Sequence, residues 1–434
     1  MREYLLTKKE DIRNLNVFPR ETKIFLSKNF INSIVGPRRS GKTYFLYHLI
    51  LNELKLKDED YLFVNFEEES VRSLDRREIL DCIKYHQEIY GKLPKFLFFD
   101  EVQNLDRWES WIYELYEKKR FYIFITGSSS KLLSREIATQ LRGRAINVPI
   151  FPFSFREFLN LKDFRIKRYY SSYERGKLLN LLREYLEFGG YPQILIDNIN
   201  PKIFFRDYID VVIYRDIVER YWIKEPEIVK LLIKFVASSL SSQLSINRVF
   251  NVLKSHGIKL SKKTLYSYFK YLENAFFCFS LKKFAFSEKK SELSIPKVYL
   301  SDTGIANYLL KTKISENIGQ LMENVVFLEL KKNELLGEIT SLFYYKDYQQ
   351  REVDFLVKEG SKIKQLIQVT YANTFDEIKE EEYRNLLHVK ELFKDHNPKL
   401  IIVTWDYEDE RELSWFGRKG KIKFIPLWKW LLEA

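Results

Sequence analysis

The sequence predicts an α/β fold whose N-terminal part is a parallel sheet, and three observations carry that expectation. Short apolar runs at 30–35, 61–66, 96–99 and 121–126 alternate with helical stretches, the pattern of strand–helix–strand units. The runs at 96–99 and 121–126 are apolar without alternation, as strands covered on both faces must be. At 434 residues, with 45% apolar and 30% charged side chains, the chain is globular and long enough for two or three domains. Residues 1–150 make the sheet-containing core, 151–225 a helical region, 226–290 a third part and 291–434 a second α/β part.

The run 30–35 leads into Gly36-Pro37-Arg38-Arg39-Ser40-Gly41-Lys42-Thr43, a complete G-x-x-x-x-G-K-[ST] phosphate-binding loop, and a helix is expected from Tyr44 to Leu51. Glycines at both ends let successive backbone N–H groups turn inward, and the helix start adds its positive dipole end. Gly36, Arg38, Arg39, Ser40, Gly41, Lys42, Thr43 and Tyr44 are the expected nucleotide contacts. Lys42 is placed on the β- and γ-phosphates and Thr43 on Mg²⁺. The pattern calls for ATP with Mg²⁺.

Phe96-Leu97-Phe98-Phe99 ends in Asp100-Glu101, and strand ends of such sheets are where ligand groups gather. Asp100 suits the metal and Glu101 suits activation of water, which points to hydrolysis with Glu101 and Lys42 as catalytic residues. The next run ends in Thr126-Gly127-Ser128-Ser129-Ser130, so Thr126 or Ser128 is a candidate sensor of the γ-phosphate; the alternative is an ordinary helix cap. Leu141-Arg142-Gly143-Arg144 follows, and Arg144 (or Arg142) is a candidate finger acting within the chain or on a neighbour; the alternative is a plain surface cation.

Phe151 to Phe158 closes the core, and mostly helical sequence runs on to about 225, broken at Gly189-Gly190-Tyr191-Pro192. From 226 to 290 the pattern is that of a winged helix: a helix at Ile246–Leu253, a turn at Ser255-His256-Gly257, and a second helix capped by Ser261 and ending at Ala275. Phe276–Leu281 and Phe284–Phe286 are the expected wing strands. Lys262, Lys263 and Lys270, on outward faces of the second helix, are candidate DNA contacts; the alternative is a protein-binding spacer with solvated lysines. A net charge of +12 suits an acidic partner such as DNA. Cys82 and Cys278, far apart, form no disulfide or zinc framework and suit a reducing cytoplasm. No apolar stretch reaches the eighteen residues of a membrane span.

In the last part, Glu323 on a helix, Asp354 on a strand and Gln368 on the next strand keep the order of PD-(D/E)xK nucleases, with two departures. Gln368 stands where a carboxylate is needed and Thr370 where the lysine is needed. A neutral carbonyl holds a hard cation poorly, so this is read as a vestigial nuclease site; a migrated lysine, such as Lys346 or Lys364, is the alternative.

Along nearly its whole length the chain resembles the archaeal and bacterial P-loop ATPases of the AAA+ superfamily that carry a winged helix joined to a restriction-endonuclease-like domain. The marks are Gly36–Thr43, Phe99-Asp100-Glu101, Thr126-Gly127-Ser128-Ser129, Leu141–Arg144, Gly189–Pro192, Pro296–Gly304 and Glu352-Val353-Asp354-Phe355. The resemblance implies ATP, a helical lid over residues 151–225 and a link to DNA. The expected function is ATP hydrolysis coupled to a DNA-associated task. The alternatives are a slow ATP-dependent switch that assembles with copies of itself or another protein, and an ATP-regulated nuclease.

Overall fold

The structure, a computed structural model, describes residues 1–127, 143–311 and 314–433. It divides into two compact units, Met1–Phe151 and Pro152–Ala434.

The first unit is built on five parallel strands: β1 (Ile31–Val35), β2 (Tyr61–Asn65), β3 (Phe96–Asp100), β4 (Tyr122–Gly127) and β5 (Ala145–Pro149). Their spatial order is β2-β3-β4-β1-β5. All pairings are parallel, so every strand points its carboxyl end to the same edge. β1 is buried at all five positions, and Phe98 and Phe124 on neighbouring strands stack 4.8 Å apart. Each such buried ring contributes roughly 1.5–3 kcal/mol relative to exposure. The strand after Asp100 and Glu101, β4, lies between β3 and β1, so the ends of the motif-bearing strands converge. The helix after the glycine loop runs from Lys42 to His48 and continues as a π-helical turn, Leu49–Glu53.

The second unit opens with helices Phe155–Leu161, Ser172–Phe188, Pro192–Ile196 and Pro201–Val211, the last continuing as a π-helix, Val212–Glu219. Ser154 and Ser171 start the first two with reciprocal capping boxes. The glycine pair after the second helix has a tertiary cause. The Asp302 carboxylate accepts from the backbone of Gly190 and of Gly304, each at 2.8 Å, and a Cβ on Gly190 would lie 2.3 Å from the carbonyl oxygen of Phe153. Two sequence marks more than a hundred residues apart are therefore one joint.

Helix Pro226–Ser238 is followed by Ile246–Ser255 and Lys262–Asn274, the last two capped by Ser245 and Ser261. They pack by apolar faces: Val249 and Leu253 on one, Leu265, Phe269 and Leu272 on the other. Beside them is a three-stranded antiparallel sheet of β6 (Ser242–Gln243), β7 (Cys278–Leu281) and β8 (Lys297–Leu300), in the order β6-β8-β7. This corrects the expected wing. Phe284–Phe286 is no strand: Phe284 packs edge-on to Phe343 and Phe393, and its N–H donates to Tyr344. The partner of β7 is β8, beyond the boundary expected at 290/291, because the aromatic run is drawn into another core.

That core belongs to a mixed six-stranded sheet, β13-β14-β12-β11-β10-β9, made of β9 (Ser341–Lys346), β10 (Glu352–Glu359), β11 (Lys362–Val369), β12 (Lys399–Thr404), β13 (Asp409–Trp415) and β14 (Arg418–Pro426). Helices Ile314–Leu336 and Glu380–Leu392 accompany it. Among the described residues no helix is long and apolar enough to cross a membrane, and Cys82 and Cys278 are buried free thiols.

Candidate functional site

At the carboxyl edge of the first sheet, β1 ends in the glycine loop. Gly36 approaches the backbone so closely that a Cβ would lie 2.0 Å from the carbonyl oxygen of Ile150. Arg39 (φ 60°) and Gly41 (φ 94°) take left-handed conformations, which turn the loop around a concave space. Lys42 is buried and donates to the carbonyls of Gly36 (3.2 Å) and Pro37 (2.9 Å), with Glu101 4.0 Å away. Arg39 and Tyr44 are exposed at the rim, Ser40 is buried, and Arg38 faces Glu67 at 3.8 Å.

The carboxylate pair ends β3 beside this loop. Thr43 Oγ1 donates to Asp100 Oδ2 at 2.8 Å. Thr126, from β4, donates to the other carboxylate oxygen and accepts from the Glu101 backbone N–H at 2.9 Å. Burial and the adjacent Glu101 push the Asp100 carboxyl up to about 7, against the two hydroxyls and Lys42. Glu101 has a left-handed backbone (φ 51°) that turns its side chain out of the strand, where Gln103 donates to it.

These residues fit Mg·ATP. The Thr43 hydroxyl and Asp100 carboxylate face one another, the oxygen set a hexacoordinate Mg²⁺ takes alongside waters and phosphate oxygens. Gly36–Thr43 offer backbone N–H groups, and the Lys42 ammonium rests on neutral carbonyls that it can exchange for phosphate. When bound, the cation neutralises charge that develops between the β- and γ-phosphates. Thr126 is placed to hold Asp100 and Glu101 in register, since its hydroxyl already bonds both. Ser128 and Arg142 lie outside the described residues.

Arg144 is not in this cluster. It precedes β5, its carbonyl accepts from Ile31 N–H, and Ile31 is the first residue of β1. It therefore sits at the opposite end of a five-residue strand from the loop, roughly 16 Å away at strand rise. Arg144 is thus removed from this chain's own site: following the sensor strand in sequence does not fix the edge on which a residue emerges. A residue the sequence did not disclose is Arg20. Its guanidinium donates to the Ser40 carbonyl at 2.9 Å and the Phe151 carbonyl at 2.7 Å, clamping the loop from behind.

The residues of the vestigial site also meet, in the second unit, around a cation that was not expected. Lys297, from β8 and 2% exposed, places Nζ 2.9 Å from Glu323, 2.9 Å from Asp354 and 2.6 Å from Glu352. Tyr299 donates to the same Glu323 oxygen at 2.7 Å. Burial pulls the Lys297 pKa down, but Asp354 and Glu323 outweigh it and hold it well above its ordinary value. Burial and Asp354 push Glu323 up to about 8, against Lys297 and Tyr299. The Gln368 carbonyl accepts from the Asp354 N–H at 3.2 Å. Lys346 pairs with Glu352 at 2.9 Å, and Lys364 with Glu359 at the surface. The residues present do not fit a divalent cation, because the Lys297 ammonium already fills the space that Glu323, Glu352 and Asp354 face. Among the described residues no group of three or more His, Cys, Asp or Glu is arranged to hold a metal ion.

Lys262, Lys263 and Lys270 are exposed on helix Lys262–Asn274; Lys262 lies over the Phe250 ring, and Lys270 is 3.8 Å from Glu273.

Comparisons with known proteins match each part of the chain. The family described as AAA domain matches residues 28–159, and two domains of unknown function, DUF8612 and DUF4143, match 179–316 and 318–430. The uncharacterized protein MJ1544 of Methanocaldococcus jannaschii is 38% identical over 436 residues, covering 99% of this chain and 94% of its own. The chain belongs to the family of MJ1544. An uncharacterized protein of Haemophilus influenzae is 28% identical over 94% of this chain and 96% of its own length. Among solved structures, Cdc6p from Pyrobaculum aerophilum is 14% identical, covering 78% of this chain and 94% of its own at a TM-score of 0.25. The Aeropyrum pernix ORC1 protein, solved with DNA, is 11% identical, covering 73% and 94% at a TM-score of 0.26. At those TM-scores the architecture of this AAA-domain protein rests on its own sheet order.

Proposed function

We propose that the first unit binds Mg·ATP and hydrolyses it, and that the second couples nucleotide state to a DNA-associated task. The observation that carries the first half is the convergence of Lys42, Thr43, Asp100 and Glu101 on one sheet edge. Glu101 takes the proton of the attacking water, Lys42 and the loop amides stabilise charge on the phosphoryl oxygens, and Thr43 with Asp100 hold the cation. For the second half, helices Ile246–Ser255 and Lys262–Asn274 with the sheet β6-β8-β7 make a winged-helix arrangement presenting three exposed lysines. The C-terminal sheet is read as a restriction-endonuclease-like scaffold without nuclease activity, closed by Lys297. The test is the rate of ATP hydrolysis with and without duplex DNA, alongside duplex affinity as a function of salt. Replacing Lys262, Lys263 and Lys270 together by Ala lowers the log–log salt slope by about 0.9 for each phosphate that is no longer neutralised. Hydrolysis indifferent to DNA, with an unchanged slope in the triple variant, overturns the DNA half and leaves the ATPase half standing.

A further inference from the structure

A second feature of the same region points to a more specific ligand. Trp222 follows the π-helix Val212–Glu219 and is 88% exposed, the most exposed of the large hydrophobic side chains among the described residues. Its backbone is left-handed (φ 53°), at the helix-ending position that glycine usually fills, and the Ile223 N–H behind it caps the helix by donating to the Val218 carbonyl at 3.0 Å. A bulky aromatic held in that conformation, facing water, contributes little to the core and is placed where strain and π-helical turns mark working surfaces.

Beside Trp222 lies a cavity of about 390 Å³ lined by Lys224, Lys259, Thr264, Tyr268 and Tyr271. Thr264, Tyr268 and Tyr271 follow one another at helical spacing along one face of Lys262–Asn274. Tyr221 and Tyr271 stack at 3.5 Å with planes 6° apart, which makes a rigid flat wall. Lys224 and Lys259 are exposed at the rim, with Lys262 and Lys263 one turn away; Glu225 is the one carboxylate lining the cavity. An exposed indole, a tyrosine wall and a lysine rim form a stacking platform with a phosphate track beside it, the combination that holds unpaired bases without reading their sequence. A B-form duplex keeps its base faces stacked inside and offers such a surface nothing.

We propose that Trp222 and the Tyr268–Tyr271 face bind an unpaired base of single-stranded DNA, while the lysines of the second helix take backbone phosphates. The choice of DNA rests on the proposed function above. The experiment is fluorescence anisotropy on the full chain with a labelled oligothymidylate and with a blunt duplex. Trp222→Ala should weaken oligothymidylate binding by roughly 5- to 150-fold, the range set by the loss of one stacked base. It should leave blunt-duplex affinity unchanged, and Trp222→Phe should retain most of the single-strand affinity. Thermal unfolding of Trp222→Gly, which suits the left-handed backbone, should match the parent and so separate binding from folding. Equal oligothymidylate affinity in parent and Trp222→Ala overturns the proposal. A parent that binds duplex through Lys262, Lys263 and Lys270 but ignores oligothymidylate also overturns it, with the DNA reading intact. A parent that binds no DNA at all overturns both. Tighter, Trp222-dependent binding of oligouridylate would overturn the assignment to DNA.

Discussion

Lys42 and Lys297 are both buried, both come from strand-linked motifs and both have carboxylates within reach, yet they are opposite devices. Lys42 donates to backbone carbonyls, with the Glu101 carboxylate only at 4.0 Å. Its charge is solvated by neutral dipoles that a phosphate can replace. Lys297 has three carboxylate contacts within 2.9 Å, and its charge is consumed by the protein itself. The same residue types make a receptive site where the cation rests on backbone carbonyls and a closed one where carboxylates surround it. Lys9 is a third case. It is buried beneath the Tyr61 and Tyr90 rings and bonds the Asp58 carbonyl and the His86 ring nitrogen, and burial lowers it to about 7.

The contrast breaks first at Lys42. Lys42→Ala should abolish ATP hydrolysis and weaken nucleotide binding, because the ammonium is the buried charge poised for phosphate; calorimetry showing parental affinity would remove the loop from the site. Glu101→Gln should retain Mg·ATP binding but slow turnover by roughly 10²–10⁴-fold, as loss of a general base does. Parental phosphate release would take Glu101 out of the mechanism.

Lys297→Ala should leave three carboxylates facing one another in a buried space and cost about 3–5 kcal/mol of stability in the second unit. Chemical denaturation measures this, and adding Glu323→Gln with Asp354→Asn should recover much of the loss. The parent should cut neither branched nor single-stranded DNA with Mg²⁺ or Mn²⁺. Cleavage that disappears in both Asp354→Ala and Lys297→Ala would show instead that Lys297 is the lysine of a working nuclease.

Lys9 gives the smallest effect. Its folded value, about 7, lies below its ordinary 10.5, so the protonated form is disfavoured on folding. Stability therefore rises with pH across that interval and is lost as pH falls from 10.5 to 7. Lys9→Met should flatten this slope, read as a Tm that changes less between pH 7 and 10.5 than the parent's. An unchanged slope would mean that another group titrates there.

The nucleotide edge was legible because its parts are local. Gly36–Thr43 is one contiguous loop, and Asp100-Glu101 announce themselves by ending an apolar run. What stayed hidden depends on pairing between distant segments. Lys297 lies 57 residues before Asp354 and reaches it only because β8 joins β7, which no local pattern states. Arg20 carries no motif at all. Arg144 emerges at the opposite end of the sheet from the loop, because sequence order gives succession and not the edge. Phe284–Phe286 has strand-forming residues but serves an aromatic cluster with Phe343 and Phe393, where tertiary packing overrides propensity.

The strand carrying Lys297 has a mechanical consequence. β8 is the middle strand of the sheet beside the two lysine-bearing helices, and its side chain is pinned into the acidic centre of the neighbouring fold. The chain on either side of 282–283 is stitched to β9 by backbone hydrogen bonds as well. These two parts of the second unit are thus a welded bracket rather than beads on a string. A load applied to the helices should therefore pass into the C-terminal sheet through Lys297 and these backbone bonds.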